Sequence, residues 1–140
     1  MKIINQFGWF YYLTEQASLL KEHKCGKWMY FFDNQEFAKE ICEKSIEDGV
    51  CYESKCSDLV ATVSDNGVIC FYCNCDDIEN HKRIIKFMID NKLIRKTKSG
   101  RYYNNSFKLD DQTMAGQYGN DFTGTIKLSD FINLETGEFI

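Results

Sequence analysis

Three of the chain's seven cysteines fall within six positions, in ICFYCNCDD at 69–77. Thiolates that close could hold a metal, form a redox pair or line a sheet. A zinc site places its sulfurs on one tetrahedron, with Zn–S near about 2.3 Å and neighbouring sulfurs about 3.8 Å apart. Read as a strand, 68–75 puts Cys73 and Cys75 on one face, with Cα atoms about 6.8 Å apart, and Cys70 on the other. No glycine lies between them to make the tight turn that would bring the sulfurs together. CYESKC at 51–56 also reads as strand, and His23 with Cys25 in EHKCG falls in a loop, so no second ligand pair stands at metal spacing. The segment reads as the inside of a sheet, its reduced cysteines packed as small apolar side chains. Neither a metal nor a cofactor is expected.

Other catalytic patterns are missing from the sequence. It holds no G-x-S-x-G, no phosphate-cradling G-x-x-x-x-G-K-[ST], no H-E-x-x-H and no G-x-G-x-x-G. Of the two histidines, His81 falls beside the apolar stripe of a helix and reads as a boundary residue rather than a general base. Asp110-Asp111 reads as a solvated turn at a strand end. AGQYG at 115–119 could approach an anion, but lacks the Lys and Ser/Thr of a phosphate loop. An enzyme is not expected.

One region departs from the chain's average. Residues 81–108 carry Lys82, Arg83, Lys86, Lys92, Arg95, Lys96, Lys98, Arg101 and Lys108, including all three arginines of a chain whose net charge is −4. Clustered cations in an acidic protein make one face positive. Arg95, Lys96, Lys98 and Arg101 flank a KSG turn, with Tyr102 and Tyr103 directly after it. Such a hairpin could meet an acidic surface, or let planar bases stack while a cation meets phosphate. These six residues are the candidate binding site, and Tyr118 in the Gly-rich 115–124 loop is the next candidate. The plainer reading is a solvated helix face followed by a charged hairpin.

The same region resembles the last helix and wing of a winged-helix DNA binder, yet an aromatic strand precedes the helix where a helix–turn belongs. Trp28, Tyr30 and Phe32, with Phe71 or Tyr72, invite comparison with RNA-recognition domains. The third strand lacks their basic and Gly-aromatic spacing.

The elements that must position these residues follow from two matching segments. KWMYFFDNQEFAKEIC at 27–42 and CFYCNCDDIENHKRII at 70–85 each run from an aromatic strand through Asp to an amphipathic helix. Asp33 with Glu36, and Asp76 with Glu79, fit an N-cap and its N3 acid. Phe37, Ala38, Ile41, Cys42 and Ile46 form one helical stripe; Ile78, Ile84, Ile85, Met88 and Ile89 form the other. Gly49 stops the first helix, and Asn91 is placed to stop the second.

Each helix leads into a new strand, 50–56 and then 93–97, the latter continuing through RYYNNSFKL. SDNG at 64–67 turns into the third strand. The predicted fold is α+β: a ferredoxin-like split βαβ (βαββαβ) antiparallel sheet with two helices on one face. A single domain is predicted over 1–140, with core 27–109. The 1–26 extension holds a strand at 8–13 and a short helix capped by Thr14. The 110–140 extension leads into a strand at the start of IKLSDFINLETGEFI and ends in a hairpin at Thr136-Gly137.

The remaining bounds are compositional. At 140 residues with 44% apolar and 27% charged content, the chain can bury a real core. An acidic balance argues against a general nucleic-acid coat. MKIINQFGWFYYL reads as neither a signal peptide nor a membrane span, so no membrane partner and a cytoplasmic location are expected. An odd number of cysteines in that compartment argues against a disulfide framework.

SFKLDDQTMAGQYGNDF followed by IKLSDFINLETGEF resembles uncharacterised small accessory proteins of phages and mobile elements in low-GC Gram-positive bacteria. Fourteen lysines against three arginines suit such a genome. The resemblance transfers no catalytic motif. It implies a counter-defence inhibitor, of the anti-CRISPR or related anti-defence type, that occupies or sequesters a bacterial protein or nucleoprotein target. A nucleic-acid-binding regulator using the 95–103 hairpin and a small enzyme or nucleotide-sequestering protein are the alternatives, and a homo-oligomer stays open.

Overall fold

The computed structural model describes residues 1–110 and 126–140. Among them lie six strands, β1 (Lys2–Gln6), β2 (Trp9–Leu13), β3 (Cys25–Phe32), β4 (Glu53–Ser57), β5 (Gly67–Asn74) and β6 (Lys108–Leu109). Two α-helices, α1 (Gln35–Glu47) and α2 (Ile78–Asp90), follow β3 and β5. The strands form one sheet in the order β1-β2-β4-β5-β3-β6, and all five neighbouring pairs are antiparallel. The protein is thus a mixed α+β structure with helices and an antiparallel sheet, as its alternating periods predict.

The sheet differs from the expected four-stranded one in three ways. An N-terminal hairpin, β1–β2, adds two strands beyond β4, and only its second strand was predicted. It closes at Phe7-Gly8, with φ 54° and 82°, the doubly positive turn that matches the twist of a two-residue hairpin. Residues 93–97 are not a strand; only an isolated bridge, Lys96↔Tyr102, joins the two arms of the 95–103 turn. The strand that does pair beside β3 is β6, two residues long and at the sheet edge. Gly26 permits that pairing: a Cβ there would stand 2.5 Å from the Lys108 carbonyl oxygen and from the Phe107 ring.

Both helices cover the same face. Ser54 and Phe71 are register partners across β4 and β5. The Ser54 hydroxyl meets Ser45 Oγ of α1 at 3.0 Å, while the Phe71 ring meets Phe87 of α2 at 5.7 Å between centroids. Ala38, Ile41, Cys42 and Ile46 of α1 are buried there with Ile84, Ile85, Phe87 and Met88 of α2. Ile78, placed in the second stripe by its spacing, is instead 49% exposed.

Each helix begins one residue later than the sequence pattern predicts. Asn34, not Asp33, caps α1 by accepting from Phe37 N at 3.1 Å; Asp77, not Asp76, caps α2 by accepting from Asn80 N at 3.1 Å. Asp76 is drawn away by Lys24, 2.7 Å from its carboxylate. Glu36 and Glu79 still lie in the first turns. Gly49, at φ 69°, follows the last turn of α1 as expected. At the end of α2, Asn91 is the C-cap but Lys92 takes the left-handed conformation, φ 58°.

Thr14 caps a short 3-10 helix, Glu15–Leu19. The C-terminal turn has Gly137 at φ 79° and closes the bridge Ile132↔Phe139. The IKLSD segment is a bridge, Ser106↔Lys127, followed by a 3-10 turn rather than a strand. Among the described residues, no helix is long and apolar enough to cross a membrane.

The cysteine-rich segment lies inside the sheet. Cys70 and Cys73 are 2% and 0% exposed in β5, and all seven thiols are free. Burial raises the pKa of Cys51 to about 12 and that of Cys70 to about 11. The thiols of Cys42 and Cys73 are raised by the same cause. Thiolate character is what makes a cysteine reactive, so these are packing residues.

Candidate binding site

The cluster predicted from sequence divides into two parts. Leu93 N donates to Met88 O at 2.7 Å, which turns the chain sharply off the end of α2 and carries Arg95 back to the end of β3. There the Arg95 guanidinium donates from Nη2 to the Phe31 carbonyl at 3.0 Å and lies over the Tyr30 ring, 5.2 Å from its centroid. Stacking of this kind suits the flat, weakly hydrated guanidinium. Among the described residues no carboxylate forms an ion pair with it.

Two clefts adjoin Arg95, of about 580 Å³ and about 260 Å³, and Tyr30 and Phe31 line both. Asp33, Asn34 and Asn66 border the larger, while Tyr103, Asn104 and Asn105 border the smaller. Phe31 is 59% and Tyr103 50% exposed, so two open aromatic rings line the clefts beside one cation.

The remainder of the cluster forms the turn. Thr97 N donates to Arg101 O at 2.7 Å and Gly100 N to Thr97 O at 3.0 Å, which projects Lys98 and Arg101 into solvent. Lys96 lies over the Tyr102 ring at 4.8 Å. Tyr102 is structural: its N–H donates to Leu134 O, and its ring lies 2.8 Å from where a Cβ on Gly137 would stand. The structure therefore brings Arg95 and Tyr103 together with Tyr30 and Phe31, and leaves Lys98 and Arg101 at the turn. Tyr118 and the 115–124 loop lie outside the described residues.

Phe31 was the site residue missed from sequence. The signal was present, because KWMYFF is apolar or aromatic at every position after Lys27, and alternation must send one of its two rows away from the helices. Trp28 and Phe32 went inward, at 1% and 5% exposure. With Phe71 also buried, the rings compared with an RNA-recognition face are mostly core.

Away from this cluster, burial also shifts the pKa of ionisable groups. His81, placed at a boundary by sequence, is fully buried: Nδ1 accepts from Trp28 Nε1 at 3.0 Å, which leaves Nε2 as the protonated nitrogen donating to Cys75 O at 2.9 Å. Burial lowers its pKa, and both nitrogens are occupied. On the helix-free face, Lys55 lies 3.8 Å over the Trp9 ring and burial lowers its pKa, while burial raises that of Glu53. Among the described residues no three His, Cys, Asp or Glu side chains converge on a metal position.

The comparisons with known proteins identify no relative: no protein-family model, curated protein or solved structure matches this chain.

Proposed function

We propose that this chain is a non-enzymatic binding protein, and within that class a counter-defence inhibitor of a phage or mobile element that occupies or sequesters a cytoplasmic target of its bacterial host. The observation that supports a binding role is Arg95, stacked on Tyr30 between two clefts and flanked by the exposed rings of Phe31 and Tyr103. Arginine with open aromatics is the composition of interface hot spots. The counter-defence assignment rests on the sequence resemblance alone. We read the core as ferredoxin-like; what favours this is the order β4-β5-β3-β6 with a helix in each crossover, and the added hairpin is the departure.

The test separates the two parts of the basic cluster. Tagged wild type, Arg95→Glu and the double variant Lys98→Glu/Arg101→Glu are used to retain partners from a bacterial lysate, with mass spectrometric identification and titration of the retained species. The expected result is loss of at least tenfold in affinity for Arg95→Glu, about 1.4 kcal/mol, and a smaller, salt-sensitive loss for the turn variant. Melting of each variant is recorded, because Arg95 also packs on Tyr30. Retention of the same partner by folded Arg95→Glu, with unchanged affinity and salt dependence, would move the working surface elsewhere.

A second reading, a nucleic-acid-binding regulator, is favoured by the same open rings, on which unpaired bases could stack. It predicts that single-stranded oligonucleotide binds with an affinity that falls steeply with salt. A small enzyme or nucleotide-sequestering protein has no supporting observation among the described residues.

A further inference from the structure

Three apolar side chains are placed where neither folding nor solvation favours them. Phe7 and Val60 are each 86% exposed, and Val63 is 91% exposed. Phe7 and Val63 also hold left-handed backbone, at φ 54° and 51°. That region is uncommon for any residue but glycine and is an outlier for a β-branched one. Asn or Gly would satisfy both turns with less strain and no exposed apolar surface. Two local rules are therefore broken twice, at two separate points of the chain, and strained positions of this kind concentrate where function requires them.

The two loops form one built unit. Asp58 N donates to Gly8 O at 2.9 Å, and Asn5 Nδ2 donates to Asp58 Oδ2 at 2.9 Å. Asp58 Oδ1 accepts from Val60 N and Ala61 N, each at 3.2 Å, and Thr62 Oγ1 donates to Asp58 O at 2.9 Å. Leu59 N donates to Gln35 Oε1 at 2.7 Å, tying the loop to the start of α1. The apolar tips are thus presented on a fixed frame, so little freedom is lost when they are buried.

We propose that Phe7, Val60 and Val63 form an apolar knob that seats in an apolar socket on a folded protein partner, beside the Arg95 clefts. The 58–66 loop ends at Asn66, which lines the larger of those clefts, so knob and cleft share one end of the sheet. The partner surface that fits is an apolar socket bordered by carboxylates facing Arg95. Residues 5–9 and 58–66 contain no Lys or Arg; of their two carboxylates Asp58 is buried in the frame and Asp65 is exposed. An anionic membrane would repel that tip, which is why a protein is the occupant.

The inference rests on the reading of the Arg95 end as a binding surface, and the experiment keeps the two apart. The full chain carrying p-benzoylphenylalanine in place of Phe7 is irradiated in bacterial cells, and the cross-linked species is identified, purified and titrated. The result expected is one adduct protein, competed by wild type and bound at least tenfold more weakly by Val60→Asp/Val63→Asp and by Arg95→Glu. Val63→Gly should melt at or above the wild-type temperature while binding more weakly, which a purely structural role would not produce. If affinity falls for Arg95→Glu but not for Val60→Asp/Val63→Asp, the knob is wrong and the Arg95 reading stands. If neither changes, both are wrong. An adduct of two copies of this chain, or no adduct, overturns the socket. So does sedimentation of wild type, but not Val60→Asp/Val63→Asp, with phosphatidylcholine–phosphatidylglycerol vesicles.

Discussion

His81 is held from both sides of its ring, and that makes it a sensor of pH for the whole fold. Trp28 Nε1–H needs its Nδ1 lone pair, and Cys75 O needs its Nε2 proton, so the neutral ring alone satisfies both. Burial lowers the folded pKa, offset in part by the Cys75 hydrogen bond and the charges of Asp77 and Asp76. The unfolded chain takes up the proton near about pH 6.5 while the folded chain still refuses it. This contribution to stability is therefore complete above about pH 6.5 and is lost as pH falls toward the folded value, by up to about 1.4 kcal/mol per pH unit. Urea unfolding should show that decline, and His81→Phe should be less stable at pH 7.5 yet flatter between pH 6.5 and 5. Equal slopes in the two proteins would remove His81 from this role. The cysteines answer at the same scale. Only Cys25 and Cys75 are half-buried, and burial beside Asp110 raises Cys25 to about 12. A thiol reagent at pH 8 should modify no more than two cysteines before unfolding and all seven after it. Rapid loss of five or more would contradict the packing of β5.

At the scale of elements, the two helix starts show how one residue decides where a helix begins. DN at 33–34 and DD at 76–77 each offer two side chains able to cap, and the pattern D-x-x-E favours the first of each pair. In the folded chain the first Asp of each pair lies outside the helix. Asn34→Ala should cost about 1 kcal/mol, the ordinary value for a lost cap, whereas Asp33→Ala should change stability little. Thermal or urea denaturation of the two variants measures this directly, and the reverse ranking would restore the earlier start.

Across the whole molecule, the described residues beyond α2 close the core rather than complete a broad sheet. β6 contributes two residues at an edge, so these residues stabilise chiefly through side chains. Leu93, Ile94, Phe107, Leu128, Phe131 and Ile132 are all buried, and Phe131 stacks on His81 at 5.2 Å. At roughly 1.5–3 kcal/mol each, these six rival the roughly 5–15 kcal/mol by which a whole domain is stable. A 1–91 fragment should therefore fail to melt cooperatively. A soluble fragment with a sharp transition would show that residues 1–91 hold a sufficient core alone.

Local pattern was enough to determine β2, β3, β5, both helices and the stop at Gly49, because strand alternation, helical stripes and capping chemistry act over a few residues. It misplaced the turn before β5: backbone hydrogen bonds within 58–64 make it, and Gly67 of SDNG already opens the strand. The basic cluster and its Arg95 were legible for the same reason. Tertiary structure decided what local pattern leaves open. KIINQ became β1 only through pairing with β2, and LIRKT lost its strand because Arg95 turned back onto Phe31 and Tyr30. His81 was buried because Trp28, Phe107 and Phe131, distant in sequence, close around it. Which aromatic row of β3 packs inside, and which remains open as a surface, depends on where the helices come to rest. Spacing along one strand carries no record of that, since both faces read as apolar until a second layer covers one of them.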